Sequence, residues 1–104
     1  MIELKLPPTI KIGGYDYTIE ISPTHNQELR ANGNRGECIS DPMKRIRIDS
    51  DVDSQQFSGT FIHEITHAID NVYSNNSLTE AQTAAIANGF LQVLEQFNIR
   101  FFPA

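Results

Sequence analysis

Apolar and charged residues alternate along the first six positions of this chain. Ile2, Leu4 and Leu6 are interleaved with Glu3 and Lys5, a period of two that predicts a half-buried strand over residues 2–6. Pro7-Pro8 ends it. The alternation resumes with Ile10 and Ile12 around Lys11, and again with Tyr15, Tyr17, Ile19 and Ile21 against Asp16, Thr18, Glu20 and Ser22. Gly13-Gly14 joins these two runs. Both glycines tolerate positive φ, so the pattern predicts a β-hairpin, and Pro23 ends its second strand. Residues 24–36 are polar and rich in Asn and Gly; they read as loop, with at most a short helical turn over residues 27–31. Alternation returns at residues 44–49. Residues 36–40 supply a short partner strand, with Asp41-Pro42 as the turn of a second hairpin.

The period then changes. Phe57, Phe61, Ile65, Ala68 and Val72 recur at helical spacing, and Ile62 and Ile69 widen the stripe. Asp51, Asp53 and Ser54 offer N-caps and negative charge for a first turn, so one helix is expected over residues 54–73. A polar connection follows over residues 71–77. A second helix is expected over residues 78–98, and both Ser77-x-x-Glu80 and Thr79-x-x-Gln82 fit a capping box. Ala84, Ala87, Leu91 and Leu94 form its apolar stripe, broadened by Ile86, Phe90, Val93 and Phe97. The tail, residues 99–104, is apolar enough to cover the core; folding over a cleft as a latch is the other reading. Strands followed by two helices predict an α+β domain, and 104 residues favour a single one, 1–104.

Composition narrows the function. An apolar fraction of 39% is adequate for a core, whereas a net charge of -5 disfavours a general nucleic-acid-binding role. The one basic cluster, Lys44-Arg45-x-Arg47, reads as the solvent face of a strand. Cys38 is the only cysteine, which rules out an intrachain disulfide and fits a reducing compartment. As a nucleophile or metal ligand Cys38 is outweighed by simple packing in a strand. No stretch resembles a signal peptide or is apolar enough to span a membrane. A cytoplasmic protein with no membrane partner is therefore expected.

His63-Glu64-Ile65-Thr66-His67 is where the chemistry concentrates. On a helix, residues four apart lie on one face, so His63 and His67 can offer two imidazole nitrogens to one tetrahedral metal. Thr60 and Asp70 share that face. Glu64, next to the first ligand, can accept the proton of a metal-activated water without ligating. A catalytic zinc usually takes three protein ligands, and Asp70, Glu80, His25 and Cys38 are the candidates for the third. Asp70 lies one turn past His67, and three ligands along one straight helix do not easily converge. Glu80 can approach from the side if the two helices pack antiparallel, provided that it is not consumed as a capping-box carboxylate. His25 lies in a polar segment and reads as solvent-facing. Asp70 is instead a candidate to accept the second N–H of a ligating histidine, or to orient the connection after the helix.

His63-Glu64-x-x-His67, followed by a glutamate on the next helix, resembles the gluzincin pattern of zinc metallopeptidases. The small size, the short connection and the alanine-rich second helix resemble the minigluzincins. They also resemble short phage-encoded metallopeptidase-like proteins akin to the ImmA/IrrE type. The resemblance covers roughly residues 57–97. It implies a small twisted, mainly antiparallel sheet packed on an active-site helix, with Zn2+ held by His63, His67 and Glu80, Glu64 as base, and a protein or peptide as substrate. It further implies a sheet edge beside the cleft, for which residues 44–49 are the candidate, and a phage or bacterial cytosol. Two departures matter. Larger members often carry an aspartate four residues after the glutamate ligand, where this chain has Ala84. No histidine follows His67, so Tyr73 is the nearest candidate for an oxyanion or substrate contact, its plainer role being packing. Losing such a donor costs on the order of 100–1,000-fold in rate, so the expectation is a slow or narrowly specific peptidase. Its rival is a non-catalytic zinc-binding or partner-binding module.

Overall fold

Two separate sheets and three helices make up the chain, in a computed structural model that describes residues 1–103. The strands are β1 (Ile2–Lys5), β2 (Thr9–Ile12), β3 (Tyr15–Glu20), β4 (Gly36–Ile39), β5 (Arg45–Ile48) and β6 (Ile99–Phe102). The helices are α1 (Pro23–Ala31), α2 (Ser54–Tyr73) and α3 (Glu80–Gln96). The α+β class expected from the sequence is the one observed.

The larger sheet has the order β2-β3-β5-β4. β2 and β3 are antiparallel, with Ile12 opposite Tyr15 across a two-residue turn in which Gly13 and Gly14 have φ of +59° and +91°. That is the hairpin that alternation and Gly-Gly predict. β4 and β5 form the second expected hairpin. β3 and β5 run parallel, so the sheet is mixed, with two of its three pairings antiparallel. Tyr17, Ile46 and Ile48 point inward and are fully buried against Phe57, Phe61, Ile62 and Ala68 of α2. On the outer face Arg47 pairs with Glu20 at 3.0 Å and Glu37 at 3.2 Å, and Arg45 with Glu20 at 3.5 Å. The basic cluster is thus neutralised within the chain.

Five expectations are corrected. Residues 24–36 are not mainly loop, because α1 starts at Pro23. Ser22 caps it, accepting the N–H of His25 at 3.1 Å, and Pro23 occupies the first turn, where its missing N–H is not needed. Only Asn26 and Leu29 of α1 are buried, too sparse a stripe to read as a helix. Next, β1 belongs to a different sheet. It pairs in parallel with β6, Ile2 opposite Ile99 and Leu4 opposite Phe101, and only Leu6 beyond it reaches the core. The tail therefore covers the core: Phe101 packs on Phe61 with ring centroids 4.8 Å apart, and its N–H donates to Ser58 Oγ at 2.8 Å. Ala104, the end of that tail, lies outside the described residues.

The remaining three concern the helices. α2 spans the expected residues, capped by Asp53, whose carboxylate accepts the Gln56 N–H at 2.8 Å. Ile69, expected to widen its apolar stripe, is exposed. α3 begins later than expected because the Thr79/Gln82 capping box forms rather than the Ser77/Glu80 one, with hydrogen bonds of 2.9 and 3.1 Å. Its apolar residues divide. Ala87 is buried and Leu94 packs on the core, whereas Ile86, Phe90, Val93 and Phe97 face outward. α2 and β6 cover one side of α3, and no other element among the described residues covers the other. No helix among the described residues is long and apolar enough to cross a membrane.

Candidate metal centre

α2 lies under the edge strand β4, and a cleft of about 630 Å³ opens between them. Gly36 allows this approach: a Cβ there would fall 2.6 Å from Thr60 Cγ2 and 3.1 Å from a carboxylate oxygen of Glu64. The cleft is lined by Gly36, Glu37 and Cys38 from the β4 side, by Thr60, His63, Glu64 and His67 from α2, and by Glu80 at the start of α3. Residues 44–49 are the strand expected beside the cleft. The structure corrects this: β5 is an interior strand, and β4 is the edge that borders the cleft.

The i, i+4 spacing on α2 brings the two Nε2 atoms of His63 and His67 to 3.2 Å from each other. Glu80 closes the group, with Oε1 2.8 Å from His63 Nε2 and Oε2 3.2 Å from His67 Nε2. Glu80 is free to do so because Thr79 and Gln82 cap α3 without it. His63, His67 and Glu80 together form a group that could hold a metal ion. Tetrahedral donors at arms of 2.0–2.1 Å stand about 3.3 Å apart, close to the 3.2 Å between the two imidazole nitrogens, and each carboxylate oxygen of Glu80 lies within 3.2 Å of one of them. Two imidazoles and one carboxylate are also a donor set suited to a borderline-soft dication.

The chain reversal that delivers Glu80 is built by Asp70. Asp70 is buried, and its carboxylate accepts the Leu78 N–H at 3.3 and 3.4 Å. Its backbone carbonyl accepts the N–H of Ser74 at 2.9 Å and of Asn76 at 3.2 Å. Asn75 and Asn76 take the left-handed conformation, φ +53° and +57°, that asparagine tolerates. Of the two roles considered for Asp70, the structure therefore assigns orientation of the connection, and its carboxylate makes no hydrogen bond to His67.

Glu64 projects into the cleft beside the group. It is 6% exposed and makes no hydrogen bond within the described residues. Burial, then the charges of Glu80 and Glu37, push its carboxyl up to about 8. A carboxyl tuned near neutrality is suited to both accepting and returning a proton.

The other candidates lie elsewhere or act differently. Tyr73 is 69% exposed and sits against the Gly13 turn rather than in the cleft, so it is not placed as an oxyanion or substrate contact. Cys38 lines the cleft, half-buried, with Sγ 3.8 Å from Ser40 Oγ. Burial pushes its thiol up, the Glu64 charge adds to this, and the Ser40 contact opposes it. A thiol held protonated is a poor nucleophile. His25 lies on α1, half-buried and outside the group. Sequence reasoning missed the lining residues Gly36, Asn76 and Asn88. Gly36 carried a signal, since a glycine inside a strand marks close approach of another element. The two asparagines carried none.

No protein-family model matches this chain, and no curated protein or solved structure matches it either.

Proposed function

We propose that this chain is a zinc-dependent peptidase in which Glu64 is the general base. The observation that carries the reading is the convergence of His63 Nε2, His67 Nε2 and the Glu80 carboxylate within 2.8–3.2 Å, beside a buried and unpaired Glu64. His63, His67 and Glu80 would hold the ion. When bound there, zinc supplies Lewis acidity to a water and to a carbonyl oxygen.

The residues of the chain do the rest. Glu64 accepts the proton of the attacking water and returns it to the leaving amine. Its pKa of about 8 belongs to the protein without a cation; neutralising Glu80 removes one cause of that elevation. The free edge of β4 can add an extended peptide as a further strand along the cleft, which favours a peptide over a small ester or amide. Arg35 at one end and Glu37 beside it give the cleft a polar lining. The outer edge of β4, Gly36–Ile39, carries the backbone groups that would align the substrate.

One observation favours a second reading, a zinc-binding module without catalysis. No histidine or tyrosine other than His63 and His67 lines the cleft, so the familiar side-chain donor to a developing oxyanion is missing. The two readings separate in one experiment. Protein purified without chelator is assayed for metal and then incubated with a peptide library, with Glu64→Gln as control. About one zinc per chain and cleavage abolished by Glu64→Gln support the peptidase. Zinc without cleavage supports the module, and no zinc after add-back overturns both.

A further inference from the structure

We infer that the exposed face of α3 is the surface through which two copies of this chain associate, pairing antiparallel about a two-fold axis between Phe90 and Val93. Ile86, Phe90, Val93 and Phe97 are 50, 58, 50 and 66% exposed. Their spacing of four, three and four residues is the 3.5-residue repeat of a helix–helix seam. A stripe of that period is filled by another helix, crossing at about 20°. No helix among the described residues fills it, since α2 and β6 lie against the side of α3 that carries Thr83, Ala87 and Leu94.

Charge selects the occupant. Among the exposed residues from Ala81 to Asn98 there is no Asp, Glu, Lys or Arg, and the flanks of the stripe are Gln82, Gln92 and Gln96. Glu95, the one ionisable residue of that stretch, is half-buried and paired with Arg100 at 3.5 Å. The chain as a whole carries -5. A basic or acidic partner would be matched by opposite charge on this face. A second copy requires the reverse: a face on which two acidic molecules meet with no like charges opposed. Glutamine amides are both donors and acceptors, so such a rim is complementary to itself across a two-fold axis.

Size agrees. The four side chains leave on the order of 500 Å² of apolar surface open, the range in which a patch marks an interaction site. Doubled in an isologous contact, this reaches the roughly 1,000 Å² that a specific interface has to bury. At Gly89, beside Phe90, nothing lies within 4 Å of where a Cβ would stand, so a partner helix can come close alongside the stripe. Glu80 and Asn88, which line the cleft, lie away from the stripe around the helix, and the cleft stays open in the pair. The inference stands or falls apart from the proposed peptidase activity.

Sedimentation equilibrium of the full chain, with chelator and with zinc, tests it. The expected result is a reversible equilibrium between the 11.7 kDa chain and twice that mass, with a dissociation constant of roughly micromolar order in both conditions. Phe90→Asp places two carboxylates across the axis and is expected to weaken association at least about 100-fold, with far-UV circular dichroism unchanged because the residue is exposed. Should that variant misfold, Val93→Lys on the same stripe decides. A chain that stays monomeric up to about 200 μM, whatever else then covers the stripe, overturns the inference. So does a dimer that survives both substitutions.

Discussion

Leu78 donates its backbone N–H to the Asp70 carboxylate, 3.3 and 3.4 Å from its two oxygens. This bond ties the last turn of α2 to the residue just before the Thr79 cap of α3. It sets where Glu80 emerges relative to His63 and His67. Asp70→Ala should therefore weaken zinc binding about 10–100-fold, as loss of a supporting contact typically does. It should also cost about 1 kcal/mol of stability by removing the hydrogen bond to the half-buried Leu78 N–H. Zinc titration and thermal melting of the same protein measure the two effects. Unchanged zinc affinity in the variant would mean that Glu80 finds the histidines without this clamp.

Glu80 itself is 71% exposed, so replacing it should leave the fold intact and remove one of three donors. In wild type, zinc at one hundred times its dissociation constant is expected to stabilise the protein by about 2.7 kcal/mol. In Glu80→Ala the same zinc concentration should give little shift in melting temperature. A variant stabilised by zinc as strongly as wild type would place the third ligand elsewhere.

Glu64 makes a pH prediction for the metal-free protein. Its carboxyl lies at about 8 in the fold against an ordinary 4.5, so the folded state holds a proton that the unfolded state has released. The associated stability is fully present below pH 4.5 and is lost as pH rises through 8. Glu64→Gln keeps a neutral side chain at every pH. The variant should gain on wild type by up to about 1.4 kcal/mol per pH unit across that window, and the gain should level off above pH 8. Urea denaturation in chelator at several pH values reads this difference. Parallel stability curves would show that Glu64 is not strained by its burial.

Gly36 holds β4 close to α2. A Cβ at this position would meet Thr60 Cγ2 at 2.6 Å, so Gly36→Ala should destabilise by about 1–3 kcal/mol. Thr60→Ser removes that methyl and should restore part of the loss in the double variant. Thermal melting of the four proteins closes the cycle. Strict additivity would mean that the two side chains do not meet.

Phe101 tests the role of the tail. It packs on Phe61 and its N–H is held by Ser58, so Phe101→Ala should cost about 2–3 kcal/mol for a half-buried aromatic. Any peptidase activity should fall with stability rather than rise. A well-folded variant with higher activity would instead reveal a latch.

The parts of this protein legible in its sequence are those decided within a few residues. The Gly13-Gly14 turn needs only two glycines that accept positive φ. The 20-residue α2 needs only an Asp53 cap and a helical period, and its spacing alone puts His63 and His67 on one face with Glu64 beside them. Tertiary structure decided the rest, because the deciding partners are distant in the chain. β1 and β6 pair from opposite ends of the sequence, and no local pattern names a strand's partner. β4 rather than β5 borders the cleft, since edge and interior strands can share the same alternation. α1 was hidden because it buries only Asn26 and Leu29. The outward face of α3 was hidden for the converse reason: an apolar stripe records what a helix can bury, and whether anything covers it depends on where α2 and β6 come to lie. Glu80 shows both influences. Thr79 and Gln82 leave it free by local capping, and the Asp70–Leu78 bond across the reversal turns it toward the histidines.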